Sequence, residues 1–324
     1  MEKTSKWRWG KYRWVLLGLI ILNIVAVGYF YPIRPHIQVA PEFITGTLFT
    51  LPVIGEFRLT NTLVASFIGF ILLMVMAFAV NRALKSGEQV PRGLAGAIEA
   101  VIEMLYNLTE STAGKHAKKI FPWFATIVFV VLFANWMELI PGVDSIGLLE
   151  HSEHGYPTME ILPGIMAIVN SATGGKEAGS VVVPFVRVAS TDLNFTVALA
   201  LIAVVMTQVF GFQAHGFAYL LKFFNVRNLF KKPFFGAMDF LVSLLELISE
   251  LAKILSFSFR LFGNIFAGSV LLFLVGAMVP WFVQSMVLFF EFAIGLIQAL
   301  VFGMLTMVFM TMAMSAHGES EEAH

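Results

Sequence analysis

The chain has 324 residues, of which 58% are hydrophobic and only 13% are charged. Soluble chains carry about 25% charged residues, and a mean hydropathy of +0.82 is more than one soluble core can bury. These values predict a polytopic membrane protein and exclude a disordered or fibrous chain. The 21 basic and 21 acidic residues cancel, so no bulk field attracts nucleic acid. The absence of cysteine excludes disulfides, iron–sulfur ligation and cysteine catalysis.

Hydrophobic runs long enough to cross a membrane follow one another along the chain. A spanning helix needs about 20 apolar residues, and uncharged runs of that size occupy 14–33, 59–81, 120–137 and 193–221. A longer apolar region, 239–316, is interrupted by Pro280, which has no N–H to continue a helix. We therefore expect two long helices there, joined by a turn at 277–281.

The first run, 14–33, has two interpretations. Lysine and arginine precede it, as they precede a signal peptide. However, no small-residue cleavage site follows, and the run is long for the hydrophobic part of a signal. An uncleaved first span is favoured, and a signal peptide is the alternative.

Basic residues alternate between the predicted loops. The tail before the first run has five, loop 82–119 has six and loop 222–232 has four, whereas 34–58 and 142–192 have two each. Loops rich in lysine and arginine remain in the cytoplasm. The alternation predicts six hydrophobic segments with both termini on the cytoplasmic side.

Two segments between the runs differ from ordinary loops. In 92–119 an apolar stripe has helical spacing and three acidic residues lie off it; the stripe is Leu94, Ile98, Ile102, Leu105 and Leu108, and the acids are Glu99, Glu103 and Glu110. This pattern predicts an amphipathic helix on the inner surface. Its polar face is acidic, so a protein neighbour suits it better than anionic lipid. Segment 142–190 shows no clear period and is predicted to be an external loop.

Motifs for cofactor chemistry are missing from the sequence. No GxxxxGK[ST] pattern is present, so we expect no nucleotide binding. His151 and His154 lie near Glu150 and Glu153, and this cluster could bind a metal. A solvated loop cluster is the favoured interpretation, and we expect neither a metal nor a cofactor.

The fifth hydrophobic segment carries ionisable residues, which are costly inside a membrane and are functional candidates by default. At about 100° per residue, several polar side chains point within about 40° of Arg260: Glu246, Ser249, Lys253, Ser256 and Asn264. Ser269, nine positions after Arg260, faces roughly the opposite side. In the last segment Glu291 and Gln298 are seven residues apart and share a face. Both helices therefore carry a polar stripe.

These charges have a functional and a structural interpretation. Arginine cannot lose its proton in a protein, so Arg260 is a permanent positive charge, suited to keeping a carboxylate ionised or to blocking cations. The structural interpretation is a buried ion pair, Glu246–Lys253 or Glu291–Arg260, that sets helix register. We favour the structural interpretation for Lys253 and Glu250, with extension of their side chains to the inner surface as the alternative, and the functional interpretation for Arg260.

The motif around Arg260 resembles a known family. SFSFRLFGNIFAG is similar to the signature of subunit a of the F-type ATP synthase, the stator that lies against the rotating ring of c subunits. ELISELAKILSFSFRLFGN and IGLIQALVFGMLTMVFMTMAMS resemble the last two membrane helices of that family in order and spacing. VPRGLAGAIEAVIE, FANWMELIPGVDSIG and STDLNFTVALAL resemble its earlier landmarks. The resemblance covers about 57–316, and neither 1–45 nor the insert 147–186 shares it.

The resemblance implies roles for individual residues. Arg260 corresponds to the family's essential arginine. Asn264 and Gln298 correspond to polar residues of its outer ion path. Glu246 and Ser256 correspond to positions associated with its inner path.

Two positions depart from the family pattern. In some relatives the position of Ser269 is acidic and that of Glu291 is histidine. Here the acid is on the second helix, so which group relays the proton on the outer side is open between Glu291 and water. Glu291 is our choice.

The resemblance also implies an architecture and partners. We expect an all-α membrane domain at 57–316, with an external insert at about 142–190, after an N-terminal segment 1–56 and before a cytoplasmic tail 317–324. Its last two helices form a long tilted hairpin against the c-ring. The implied partners are the c-ring, the peripheral-stalk subunit b, the lipid bilayer and the translocated protons, with Na⁺ as the alternative ion. The implied location is the plasma membrane of a prokaryote, and this subunit itself makes no covalent bond.

Two other functions compete with this interpretation. A stand-alone ion-coupled secondary transporter would need paired inverted repeats or broken helices, and the sequence shows neither. A non-transporting assembly protein would have no need of the polar stripes.

Overall fold

The structure is a computed structural model of the chain. It describes residues 38–52, 55–85, 93–140, 143–168, 176–223, 233–278 and 282–315, together with the single positions 14, 17, 18, 21 and 25. The predicted first span lies outside the described residues apart from those five positions. The predicted tail 317–324 lies outside them entirely.

Six α-helices form the body of the described chain: α1 (Asn61–Lys85), α2 (Leu94–Ala113), α3 (Ala117–Trp136), α4 (Leu193–His215), α5 (Pro233–Met278) and α6 (Phe282–Ser315). Five segments among the described residues are long and apolar enough to cross a membrane. The predicted class, an all-α polytopic membrane protein, is confirmed. The predicted break near Pro280 is confirmed as well, because α5 ends at Met278 and α6 begins at Phe282.

Helices α2 and α3 belong to one apolar stretch of 44 residues, Gly96–Leu139. At about 1.5 Å per residue this stretch would be roughly twice as long as a bilayer core is thick. It is broken at Gly114, whose φ of 50° suits glycine and starts a short 3₁₀ turn. Leu105 of the predicted stripe is 1% exposed and packs in a cluster with residues of α3 and α6. The position of α2 relative to the membrane stays a prediction.

Helices α3, α4, α5 and α6 pack around one apolar core. Its fully buried members include Val131, Ala200, Leu261 and Phe302. Two glycines of α6 allow α3 to approach closely, as small residues do between membrane helices. A Cβ at Gly303 would collide with the Val128 side chain, and one at Gly295 would lie 3.2 Å from the Asn135 side chain. The α3–α6 contact therefore fixes the position of α6.

The segment 142–190, in which the sequence shows no clear period, contains regular strands, and its predicted external position stays a prediction. After the short hairpin β1 (Phe49–Leu51) and β2 (Gly55–Phe57), this segment contributes β3 (Gly147–Leu162), β4 (Ile165–Ile168) and β5 (Lys176–Pro184). Strand β3 pairs antiparallel with β4 and with β5. Its register shifts between His151 and Tyr156 and again between Tyr156 and Thr158. Those shifts interrupt the two-residue period by which a strand is recognised.

Strand β3 also contains the histidine pair considered as a metal site. Among the described residues no group of three potential metal ligands is close enough to hold an ion. The side chains of Glu153 and His154 lie outside the described ones, so that half of the cluster is not placed.

The end of the bundle that carries the three-stranded sheet, here called the sheet end, is tied together by polar contacts. Thr62 of α1 donates to the Asp192 carboxylate at 2.7 Å, and the other oxygen of Asp192 accepts the N–H of Asn194 and caps α4. Arg187 donates to the backbone carbonyls of Gln38 and Ala40. The segment before α1 is thereby held over the sheet end.

Candidate functional site

Arg260 lies in the middle of a polar row on α5. Ser256, Arg260 and Asn264 follow one another at four-residue intervals; Ser256 and Asn264 are exposed and Arg260 is half-buried. The Arg260 guanidinium donates to the Ser256 hydroxyl at 3.3 Å. In the part of the chain that the structure describes, no carboxylate lies within ion-pairing distance of Arg260. The Glu291–Arg260 pair considered from the sequence is not formed.

Lys253 makes the kind of contacts that the structural interpretation predicts. Its ammonium pairs with Glu250 of the same helix at 2.8 Å rather than with Glu246, and it lies over the Phe309 ring of α6 at 4.6 Å. The cation–π contact connects α5 with α6. Glu246 is half-buried and precedes this contact by about two turns.

Asn264 and Gln298 connect the polar row of α5 to the interior of the hairpin. The Asn264 amide donates to the Gln298 side-chain oxygen at 2.8 Å. Gln298 is 4% exposed, whereas Asn264 lies on the exposed face one turn from Arg260. This bond forms a polar link from the buried side of α6 to the arginine.

A second polar group lies nearer the sheet end, where α3, α5 and α6 meet. Glu291 of α6 is 4% exposed and Ser269 of α5 is 8% exposed. The Ser269 hydroxyl donates to the backbone carbonyl of Ile265 at 3.1 Å, and it lies close enough to the carboxyl of Glu138, which is 7% exposed, to act on it electrostatically. Ser269 thus points away from Arg260, as its nine-residue offset predicts, and contacts a carboxyl that the sequence had not assigned.

Glu138 was missed because it lies one residue beyond the predicted span 120–137. It belongs to a 3₁₀ turn, Met137–Leu139, that continues α3. The one available signal was its place in FANWMELIPGVDSIG, a motif in which we assigned no role to any residue. Burial of this position depends on α5 and α6 folding over it, which the local sequence does not reveal.

Asn135, three residues before Glu138, is a buried polar residue whose hydrogen bonds hold helices together. Its amide nitrogen donates to the Gly295 carbonyl at 3.1 Å, and its amide oxygen accepts from Ser190 at 2.6 Å. Trp136 also donates to the Phe292 carbonyl at 3.2 Å and stacks on the Phe292 ring. These bonds hold the end of α3 against α6 and so position Glu138 beside Glu291.

Charged residues that follow α3 act on Glu138. Asp144 lies beyond the span, in a short 3₁₀ turn. Burial raises the pKa of Asp144 to about 6, and the positive charge of Arg187 partly opposes this increase. Asp144 and Arg187 both act electrostatically on Glu138. Glu138, Asp144 and Arg187 therefore form a group of interacting charges at the sheet end.

Gly268 makes room for the Glu291 carboxyl, and this gives a test of the geometry. A Cβ at Gly268 would occupy the position of both Glu291 carboxylate oxygens. From the function that the sequence resemblance implies, we expect Gly268→Ala to displace that carboxyl and to lower proton transport several-fold, although no charge is changed. The measurement is ATP-driven acidification of membrane vesicles. Gly263→Ala is the matched control, because a Cβ there meets no atom within 4 Å. Equal transport by both variants would contradict the proposed importance of this position.

The fold and the site define a polytopic helical membrane protein with a row of polar and ionisable groups through its interior. The family model for the ATP synthase A chain matches residues 63–311. The chain therefore belongs to the ATP synthase subunit a family, the proton-translocating stator subunit of F-type ATP synthases. This confirms the resemblance seen in the sequence, and the stand-alone transporter is not favoured.

Similar proteins are bacterial subunits of the same name. The ATP synthase subunit a of Trichlorobacter lovleyi is 27% identical over 267 residues, which cover 82% of this chain and 89% of the relative. That of Geobacter sulfurreducens is 28% identical, with 78% and 85% covered. That of Vibrio vulnificus is 31% identical, with 76% and 80% covered.

Proposed function

We propose that this chain carries protons through two offset half-channels that are separated by Arg260, and that the ions cross between them on a rotating ring. The observation that supports this proposal is that the charge of Arg260 has no carboxylate partner within the described chain. Arg260 is a permanent cation, half-buried between the polar side chains of Ser256 and Asn264, and no carboxylate of the described chain pairs with it. A charge in such a place needs an anionic partner. A carboxylate on the c-ring supplies it as the ring passes.

The surface around Arg260 supports contact with a ring of apolar helices. Leu251, Leu255 and Phe259 of α5 are each more than half exposed, as are Phe289 and Ile297 of α6. Helix α5 has 46 residues and α6 has 34. At about 1.5 Å per residue both exceed the roughly 30 Å of a bilayer core, so they tilt strongly. A long tilted hairpin lies along the ring and keeps contact during rotation.

The outer half-channel follows the buried groups from the sheet end. Glu291 and Ser269 lie at its outer part, and the Gln298–Asn264 link leads on to Arg260. Seven residues of α6 separate Glu291 from Gln298, which is about 10 Å, and one further turn of α5 adds about 6 Å. This sum is about half of a bilayer core, as a channel ending near the midplane requires.

The inner half-channel follows the other direction along α5. Ser256 contacts the Arg260 guanidinium, and Glu246 lies ten residues before it, about 15 Å away along the helix. The cation–π contact of Lys253 with Phe309 holds α6 beside this region. A proton that leaves the ring carboxylate on this side reaches the cytoplasm, and direct passage between the channels is opposed by the charge of Arg260.

We also propose how the chain is arranged in the membrane and in the complex. The membrane domain spans 57–316, its insert at about 142–190 faces outward, and segments 1–56 and 317–324 flank it. Both termini lie in the cytoplasm, and the membrane is the plasma membrane of a bacterium. The subunit is non-catalytic and works with the c-ring and subunit b in ATP synthesis. The translocated ion is H⁺. Transport of Na⁺, the alternative, would require a ring carboxylate site that selects Na⁺.

Cysteine accessibility tests the two half-channels. The chain has no native cysteine, so single cysteines can be placed without background. We expect cysteines at Asn264, Glu291 and Gln298 to react with a small hydrophilic thiol reagent added outside, and those at Glu246 and Ser256 to react from inside. Protection of all five would remove the assignment and leave dry structural contacts.

The control for accessibility is Ala299→Cys. Ala299 follows Gln298 but is 0% exposed and packs in the apolar core. We expect this cysteine to remain unreactive from both sides. Labelling of Ala299→Cys as fast as of Gln298→Cys would show that the reagent reports loosened packing rather than a water path.

A further inference from the structure

Helix α1 is attached to the bundle only by the part nearer the sheet end. The buried residues in the described part of α1 all lie within its first nine positions: Asn61, Thr62, Ala65 and Gly69. Beyond them, large apolar side chains are more than half exposed, among them Phe70, Val75 and Phe78. Much of α1 therefore has room for a further apolar neighbour.

A cavity of about 200 Å³ lies between α1, α3 and α4. Ser66 carries the one polar side chain among the nine described residues that line it, and Gly69, Phe70 and Leu73 of α1 form one wall. Phe70 is 61% exposed, so the cavity opens on the surface of the bundle. An apolar cavity of roughly 150 Å³ stays dry and can hold a benzene molecule. This cavity is therefore suited to apolar side chains from outside the described bundle.

The segment before α1 leads from the predicted first span, 14–33, to the mouth of the cavity. Arg187 donates to the backbone carbonyls of Gln38 and Ala40. It precedes by two residues Ala189, which lines the cavity. The run 14–33 ends five residues before Gln38, and five residues reach at most about 18 Å. The end of the run is thereby tethered close to the cavity.

The described positions within the run show which of its faces is available for packing. Trp14, Leu17, Gly18, Ile21 and Val25 are helical and all are exposed. At about 100° per residue they lie within about 60° of one direction, and we call them the exposed stripe. The residues that can pack are therefore those on the opposite face.

The opposite face carries the one amide side chain of the run, that of Asn23. In a helix through 14–33, Asn23 points about 180° away from the middle of the exposed stripe. An amide within a membrane span is stabilised by a polar partner on a neighbouring helix. The Ser66 hydroxyl gives its hydrogen to the Thr62 carbonyl at 2.9 Å, so its oxygen can accept one. The run and the cavity each supply one member of a polar pair.

We propose that the run 14–33 packs antiparallel to α1 and fills the cavity between α1, α3 and α4, with the Asn23 amide donating to the Ser66 oxygen. Asn23 lies ten residues from the end of its run, and Ser66 lies seven residues after the start of the run 59–81, which is about 15 Å and about 10 Å along the helices. Both side chains are thus at similar depth. The first span is then a permanent part of the membrane domain, and this inference does not depend on the proposed half-channels.

Disulfide cross-linking in the complete ATP synthase, in native membranes, tests the contact. The chain has no cysteine of its own. We expect Leu73→Cys to form a disulfide with cysteines on the face opposite the exposed stripe, at Leu16, Leu19 or Ile20, because a disulfide requires Cα atoms within about 7 Å. Leu17→Cys is the matched control at the same depth on the exposed stripe, and it should form none. Equal cross-linking on both faces, or none on either, would overturn the proposal.

Two glycines provide a second pair of variants. A Cβ at Gly69 has Met137 Sδ as its nearest neighbour, at 3.8 Å, so Gly69→Leu places its side chain in the cavity without a backbone clash. This variant should abolish the disulfide between Leu73→Cys and the run. Gly18→Leu lies on the exposed stripe, where a Cβ meets no atom within 4 Å, and should leave the disulfide unchanged. Equal effects of the two substitutions, at equal amounts of subunit in the membrane, would contradict occupation of the cavity.

The polar pair is tested without filling the cavity. Asn23→Leu and Ser66→Ala should each slow disulfide formation roughly threefold, the effect of an average hydrogen bond between membrane helices. The double variant should be no slower than either single variant, because both substitutions remove the same bond. Two independent losses that multiply would overturn the Asn23–Ser66 contact.

Three other outcomes identify a different occupant and would overturn the proposal. A cross-link from Leu73→Cys to another subunit would show that a partner helix fills the cavity. Labelling of Leu73→Cys by a lipid-soluble thiol reagent as fast as of Phe78→Cys, whose native side chain is 69% exposed, would show that acyl chains fill it. An intact mass of the purified subunit that lacks 14–33 would show a removed signal peptide. None of these outcomes would affect the proposed half-channels.

Discussion

Arg260→Ala is expected to abolish ATP-driven proton pumping and coupled synthesis while the subunit still assembles. The guanidinium is half-buried, and its one side-chain hydrogen bond among the described residues, to Ser256, is 3.3 Å long. A hydrogen bond to a charged group contributes about 1.5–3 kcal/mol, and a long bond to an exposed hydroxyl belongs at the lower end of that range. An arginine that braced the fold would instead hold a buried ion pair, whose disruption costs about 3–5 kcal/mol. The contacts of Arg260 support the proposal that it acts on a neighbour outside this chain.

Passive proton flux separates a gate from a general loss of activity. Without the positive charge, ring carboxylates can exchange protons between the half-channels without a full rotation. We expect the flux through the stripped membrane sector to persist or rise in Arg260→Ala. Arg260→Lys should not rescue coupling fully, because a lysine is a point charge that can lose its proton when desolvated.

Arg58→Ala is the matched control for these experiments. Arg58 lies before α1 and pairs with Glu56 at 2.6 Å on the exposed surface. Its loss should change neither assembly nor pumping, because an exposed ion pair contributes little. Normal coupled pumping by Arg260→Ala would contradict the gate and, with it, the proposed separation of the two half-channels.

The helices and the polar row of α5 could be predicted because they depend on local patterns. Uncharged runs of about 20 residues have few alternatives to a spanning helix, since backbone groups in a bilayer must be satisfied internally. The position of Pro280 in the sequence predicted the break between α5 and α6. The angular relation of Ser256, Arg260 and Asn264 follows from helix geometry alone, and the structure places all three on one face.

Contacts between elements could not be predicted in the same way. The stripes on α5 and α6 did not reveal that Asn264 bonds Gln298, because this depends on the turn that sets one helix against the other. Glu138 was overlooked for a related reason, since its burial comes from α5 and α6 rather than from its own surroundings in the chain. The sheet of β3, β4 and β5 was missed because shifts in register hide its period.

Ser269 and Glu291 are the two positions at which this chain departs from the family pattern. A choice of outer relay there needs both the sequence and the geometry. The sequence left two candidates for the outer relay, Glu291 and water. In the structure Glu291 is buried between α5 and α6, on the same face as Gln298 and over Gly268. This is the position from which a proton can reach the Asn264–Gln298 link, and it supports the choice of Glu291.

Glu291→Gln is therefore expected to lower ATP-driven proton pumping roughly a hundredfold or more, because one positioned proton-transfer group contributes about 10²–10⁴-fold. The amide keeps the shape of the side chain, so Gly268 accommodates it. Ser269 cannot replace the acid, because a hydroxyl holds neither charge nor an extra proton near neutral pH. Water alone would have to carry the proton past this position.

Assembly of Glu291→Gln should be unaffected or improved. The Oε1 atom of Glu291 has no hydrogen-bond partner among the described residues, so the substitution breaks no bond at that atom. It also removes a group whose ionised form is costly to bury. The measurement is vesicle acidification normalised to the amount of assembled subunit, with Glu291→Asp as the variant that keeps the acid. If Glu291→Gln pumps at the wild-type rate and Glu291→Asp does not, the position matters for packing and not for proton transfer. If Glu291→Gln is inactive and Glu291→Asp is active, the carboxyl itself carries the proton, because the two variants differ in titratable chemistry and the inactive one keeps the native size.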